Sequence, residues 1–207
     1  MSKRHGLIFI VSAPSGAGKT SLVKALIEQV PDIRVSVSHT TRDKRPNEVD
    51  GVHYYFVSKS EFLRLREDKA FIEDAEVFGH HYATSKMEIE KAIHEGQDIV
   101  LDIDWQGARQ VKELFPEQSV GIFLLPPSKA ILKERLERRA QDHPEVIAHR
   151  LAAANSEMQH YRDYDYVIIN DKFDEAHEDL QSVIRAERLK KPRQEQHFAK
   201  LLNDLLA

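Results

Sequence analysis

Between Ala13 and Thr20 the chain reads Ala-Pro-Ser-Gly-Ala-Gly-Lys-Thr, just after an apolar run and just before a helical repeat. This is the position of a P-loop and nearly its pattern, G-x-x-x-x-G-K-[ST]. Gly16 and Gly18 let backbone N–H groups turn inward around phosphate oxygens without a Cβ in the way. The helix that begins there adds partial positive charge. Lys19 supplies a full charge for β- and γ-phosphates, and the Thr20 hydroxyl suits the Mg²⁺ that accompanies ATP. Ala13 stands where the pattern has its first glycine and is the smallest replacement for it. Ala13, Pro14, Ser15, Gly16, Ala17, Gly18, Lys19 and Thr20 are therefore the candidate ATP-binding segment. The segment says nothing about the acceptor.

A second cluster follows. Arg42 and Arg45 lie three apart in a polar loop, with Tyr54 a little further on. Such a pair makes a fork for a phosphate dianion, although an isolated R-x-x-R is more often two solvated loop arginines. Asp102 and Asp104 end a buried apolar run, where open α/β sheets bind ligands. Two apart on a strand, they face the same way. Arg135, Arg138, Arg139 and Arg150 fall in or beside charged helical stretches that spacing alone reads as solvated faces.

The elements that must position these residues alternate between two periods. Gly6–Ala13, Asp98–Ile103, Val120–Leu125 and Tyr166–Ile169 are apolar runs of strand length, the pattern of strands buried on both faces. Leu22, Ala25, Leu26 and Val30 recur with helical spacing, and Pro31 closes that helix. Helices are also expected over Ser60–Asp68, Ser85–Glu95, Gln106–Leu114, Ser128–Arg139, Pro144–Met158 and Asp174–Lys191, with Pro192 breaking the last. Shorter strands are expected at Arg34–Ser38, Tyr54–Val57 and Phe71–Phe78. The fold expected is α/β: a P-loop parallel sheet flanked by helices, with an inserted mixed α/β subdomain and a helical lid. The expected single domain has a core of 1–33, 96–126 and 160–207, a subdomain of 34–95 and a lid region of 127–159.

Ser38, Thr40, Thr41, Arg42, Arg45 and Glu48 fit S-x-T-T-R-x-x-R-x-G-E; Gly51, Tyr54 and Phe56 fit G-x-x-Y-x-F; Phe71 and Glu73 fit F-x-E. With Asp102-Ile-Asp-Trp-Gln-Gly107 they resemble the guanylate kinase family, over about Leu7–Leu189. Asn47, Ala83 and Ala140 depart from it, each standing where the family usually has glycine. Asn47 tolerates a positive φ that such a turn requires. The resemblance implies an ATP:GMP phosphotransferase of purine nucleotide metabolism, with Mg²⁺ bound alongside ATP. It assigns the GMP phosphate to Arg42, Arg45, Tyr54 and Tyr82. It assigns the guanine to Glu73, Thr84 and Ser38, since a carboxylate accepts the adjacent N1–H and N2–H₂ and a hydroxyl donates to O6. It implies that Arg135, Arg139 and Arg150 act on the transferring phosphoryl group from a lid, beside Lys19 and Arg42. Asn170 resembles the family's adenine-side residue. Asp102 is a candidate for guanine or the metal shell and Asp104 for a Mg²⁺-bound water, with their separate roles left open.

The composition excludes several other chemistries. With 41% hydrophobic and 31% charged residues the 207-residue chain is globular. Its net charge of −4 gives no case for nucleic acid or an anionic membrane as partner. No cysteine is present, which excludes disulfides, thiolate metal sites and a thiol nucleophile. His80 and His81 lack the spacing of a helical zinc pair. The run Leu7–Val11 is too short for a signal sequence or membrane span, so a cytoplasmic protein is expected. Leu201, Leu202, Leu205 and Leu206 form an apolar stripe that packs either on a second copy, giving a homo-oligomer, or on the chain's own core. Two other functions stand against the kinase: a non-catalytic phosphopeptide-binding module, and a kinase for another small phosphate or nucleotide.

Overall fold

The structure, a computed structural model, describes residues 5–77, 79–139 and 144–207, without the side chains of 139 and 144–149. Five parallel strands form the larger sheet: β1 (Ile8–Ser12), β2 (Ile33–Val35), β7 (Asp98–Asp102), β8 (Ser119–Leu125) and β9 (Tyr166–Ile169), in the order β2-β7-β1-β8-β9. The central strand β1 is buried along its whole length because helices cover both faces. Its alternate residues feed two cores. Phe9 and Val11 pack with Leu22 and Leu26 of α1 (Lys19–Gln29) and Leu180 and Ile184 of α7 (Phe173–Arg188). Ile8 and Ile10 pack with Ile89 and Ala92 of α3 (Lys86–Glu95) and Ala108 and Val111 of α4 (Trp105–Leu114).

A second, mixed sheet is built from β3 (His39–Thr40), β4 (Tyr55–Phe56), β5 (Phe71–Val77) and β6 (His80–Ser85), in the order β4-β3-β6-β5, with α2 (Lys59–Glu67) between β4 and β5. The expected strand Arg34–Ser38 is divided between the two sheets: β2 pairs with β7, and the chain then crosses to β3. The large sheet thus reaches Val35, past the expected boundary after residue 33. β6 was not expected, since its His-His-Tyr run has no apolar alternation. Ser85 caps α3 by accepting from Glu88 N, and Gly96 ends it in the left-handed conformation, as the sequence predicts.

Beyond β8 come α5 (Lys129–Arg139) and α6 (Pro144–Met158), joined by a small core of Leu132, Leu136 and Ala154. A 3₁₀ turn (Gln159–Asp163) leads back to β9. There Trp105 lies flat on His160, with ring centroids 3.7 Å apart and planes inclined by 6°. At the far end of the sheet the buried Asp98 carboxylate accepts from Leu7 N at 2.9 Å and Arg188 Nε at 2.7 Å, tying α7 to β7. Pro192 does not simply end a helix. It occupies the first turn of α8 (Lys191–His197), where a missing N–H costs nothing. The last helix, α9 (Ala199–Leu206), leaves Leu201, Leu205 and Leu206 exposed, so its stripe does not pack on the chain's own core. Among the described residues, no helix is long and apolar enough to cross a membrane.

Candidate active site

The C-terminal ends of β1 and β7 face the smaller sheet across a cleft of about 290 Å³. One wall is the P-loop. Gly16 and Gly18 have φ of 90° and 93°, a region that disfavours any side chain. A Cβ on Gly18 would also overlap the Asn170 amide, and one on Gly16 would press within 3.0–3.2 Å of Leu132 and Leu136 of α5. The loop is therefore clamped between β9 and α5. Asn170 Nδ2 donates to Ala17 O at 2.6 Å, and Arg135 Nη2 donates to Asn170 O at 3.0 Å. Lys19 Nζ lies 2.5 Å from Asp102 Oδ1 and 3.3 Å from Ile103 O, so a carboxylate already balances its charge.

The opposite wall carries Ser38, Tyr54, Glu73 and Tyr82. Glu73 is only 4% exposed, and Thr84 Oγ1 donates to its Oε1 at 2.5 Å. Burial pushes the Glu73 carboxyl up to about 7; the Thr84 hydrogen bond opposes this and the Asp104 and Asp74 charges add to it. A slip in the β5–β6 register between Phe71 and Glu73 re-aims the strand here. Tyr54 and Tyr82 meet edge to face at 5.9 Å, and the Arg42 guanidinium sits 5.4 Å from the Tyr54 ring centre. Arg42 Nη2 is 2.7 Å from Glu48 Oε1, and that hydrogen bond raises the arginine's pKa further. Burial also pushes the Tyr54 hydroxyl up to about 12. The loop turns through Glu48 N donating to Arg45 O at 3.0 Å, without a positive φ at Asn47. The left-handed conformation expected there is not needed.

The floor holds Asp102, Ile103 and Asp104. β7 stops at Asp102, and Asp104 is not the next strand residue on the same side: it is the N-cap of α4, accepting from Gly107 N at 2.9 Å. Both carboxylates still line the cleft. Together with the exposed Thr20 hydroxyl they offer hard oxygen ligands beside the phosphate cradle, a donor set that fits Mg²⁺. A buried carboxylate thus faces the P-loop across one cleft.

The guanylate kinase family model matches residues 5–187. A guanylate kinase of Pseudomonas fluorescens strain Pf0-1 is 53% identical over the whole of both chains. One from Vibrio cholerae is 54% identical over 98% of each. The crystal structure of guanylate kinase from Anaplasma phagocytophilum superposes with a TM-score of 0.79 at 37% identity, covering 93% of this chain and 92% of that one. The chain belongs to the guanylate kinase family.

Not every residue singled out on the guanylate kinase resemblance reaches the cleft. Ala13 to Gly16, Gly18 to Thr20, Ser38, Tyr54, Glu73, Tyr82, Asp102 and Asp104 line it. Thr84 is fully buried behind Glu73, and Asn170 is buried behind the P-loop, each holding another residue. Ala17 is buried too, and its carbonyl receives the Asn170 bond. Arg42 stands behind Tyr54, while Arg45 is exposed and its N–H donates to Glu48. Arg135 is turned onto Asn170, Arg150 lies half-buried on α6, and the Arg139 side chain and Ala140 lie outside the described residues. Ala83 is buried in regular β6, where glycine is not required.

Sequence reasoning missed Glu157, a half-buried carboxylate of α6 that lines the cleft beside the P-loop. Burial raises its pKa, and the Ser15 N–H and the Lys19 charge oppose the rise. Its sequence signal was its place seven residues after Arg150, two turns along the same helix face.

Proposed function

We propose that this cleft transfers the γ-phosphoryl group of ATP to GMP, giving ADP and GDP. The observation that carries the reading is the buried Glu73 carboxylate opposite Lys19 across a single cleft. An ionised Glu73 accepts guanine N1–H and N2–H₂ side by side, with Thr84 holding its other lone pairs in place. Tyr54, Tyr82, Arg42 and Arg45 form the phosphate end of the acceptor site, and Ser38, which lines the same cleft, is a further contact on the guanine side.

The P-loop N–H groups and Lys19 hold the β- and γ-phosphates of ATP. For this Lys19 exchanges part of its contact with Asp102 for phosphate oxygen. Thr20, with Asp104 through water and Asp102 nearby, would hold Mg²⁺, which when bound offsets phosphate charge. GMP needs no general base, because its phosphate is already largely ionised at neutral pH. The obstacle is repulsion between two anions, and the cationic side chains lower it for in-line transfer. Arg135, Arg139 and Arg150 belong to the same task when α5 and α6 close over the phosphates and exclude water. Asn170 supports the adenine side through the loop it holds. In this division residues 127–159 are the lid, 36–95 the GMP side, once β2 is counted with the large sheet, and the rest the core of a cytoplasmic enzyme.

The test is an ADP-release assay with GMP, AMP, CMP, UMP and dTMP as acceptors. A kcat/KM for GMP on the order of 10³-fold or more above each of the others is expected, because a buried polar site rejects a ligand that leaves it unpaired. Equal use of AMP, or no turnover at all, would overturn the reading.

A further inference from the structure

We infer that Gly107 is a specificity-positioning residue: its missing side chain makes the space in which the Glu73 carboxylate is held for guanine. The inference rests on the reading of Glu73 as the base-binding carboxylate.

Gly107 is buried in the first turn of α4, and its N–H donates to the capping Asp104. Its backbone does not have a positive φ. Conformational freedom therefore does not explain a glycine there. Within a helix glycine is the poorest former after proline, and alanine would suit the local structure better. What explains it is the neighbour. A Cβ at this position would overlap Glu73 Oε2, stand 3.0 Å from Glu73 Cδ and come 3.4 Å from Ile103 Cδ1. Glu73 cannot simply swing aside, for its other oxygen is held by Thr84 and the residue is 4% exposed. Two opposing features therefore set the carboxylate: a hydroxyl that pulls on Oε1 and a bare Cα that admits Oε2. The α4 backbone forms the inner wall of the base pocket, and Asp104 fixes that wall by capping the same turn.

The space is specific to a long carboxylate. A methyl at 107 displaces the Glu73 head group from the purine edge, and a shorter acid would fit beside it. The experiment is a double-mutant cycle of Gly107→Ala and Glu73→Asp, with Glu73→Ala as control, reading kcat/KM for GMP, KM for ATP and thermal stability. Gly107→Ala is expected to lower kcat/KM for GMP on the order of 100-fold, the cost of misplacing a binding group by about an ångström. KM for ATP should stay within about twofold. Glu73→Asp should be much less harmful in the Gly107→Ala background than in the parent, by about tenfold. Should Gly107→Ala fold poorly, adding Glu73→Ala relieves the overlap and should recover the melting temperature. The inference fails if Gly107→Ala leaves kcat/KM for GMP within twofold, if the two changes combine independently, or if Glu73→Ala does not rescue an unstable Gly107→Ala. Glu73→Ala alone separates the two levels. A parent-like kcat/KM for GMP in that variant sinks both readings, whereas a large loss together with an additive cycle sinks only the role of Gly107.

Discussion

Replacing Glu73 by Gln separates what this carboxylate costs the fold from what it gives the ligand. Its carboxyl titrates at about 7 in the folded protein against an ordinary 4.5, chiefly because it is buried. The folded state therefore holds the proton more tightly than the unfolded chain. The penalty for ionising it is absent below the unfolded value, grows through the interval up to the folded value, and is complete above it. At pH 8 it amounts to about 3 kcal/mol at most. Gln keeps the size and can accept from Thr84 without ever carrying that charge. Glu73→Gln should therefore be more stable than the parent by up to about 3 kcal/mol at pH 8, with the gain vanishing near pH 4. Urea unfolding across this range reads it directly. The same change should lower kcat/KM for GMP on the order of 100-fold, because a donor now faces one of the two guanine donors and a charged hydrogen bond is lost. IMP, lacking the N2 amine, should be a poor acceptor for the parent and lose less than tenfold on mutation. For the parent, kcat/KM for GMP should fall as pH drops through about 7 as the carboxyl takes up its proton. The variant should keep only the lower limb near pH ~6 from the GMP phosphate itself. Equal losses for GMP and IMP, or a stability difference that does not change with pH, would refute the reasoning.

Lys19→Ala should reduce kcat by on the order of 10³-fold, with the melting temperature within a few degrees of the parent, since its ammonium serves the cleft rather than the core; single-turnover kinetics and calorimetry check this. Arg42→Ala should raise KM for GMP at least tenfold while KM for ATP changes less than about twofold, because it stands on the Tyr54 wall. Arg188→Ala removes the cation that pairs with the buried Asp98 and should cost about 3 kcal/mol, roughly 6–12 °C in melting temperature, without changing either KM.

The parallel sheet was legible because strands buried on both faces are written as unbroken apolar runs, as the central strands β1, β7 and β8 show; β9 carries the same apolar pattern but lies at the sheet edge, where Val167 and Ile169 are exposed. The smaller sheet was legible only in part. β3 and β4 are two residues long, and β6 is stabilised by its pairing with β3 and β5 rather than by its own pattern. The P-loop could be placed because its glycines and lysine are contiguous. Asp104 was misassigned to the strand although aspartate just before a helix is an N-cap signal. Thr84 and Asn170 carry no mark in sequence that distinguishes touching a ligand from holding the residue or loop that does. Only packing tells them apart. Gly107 owes its place to Glu73, a neighbour far along the chain, which no local pattern encodes.

The flat stack of Trp105 on His160 has a spectroscopic consequence. The chain has one tryptophan, so all its indole emission arises where the start of α4 meets the turn that follows α6. Any shift of α6 on nucleotide binding alters the overlap of the two rings and with it the brightness or colour of that single source. The protein also has no cysteine, so one thiol introduced on α5 would be its only labelling point. Donor and acceptor would then span α5 and the start of α4, and any movement between them on nucleotide binding could be timed on the unmodified active site.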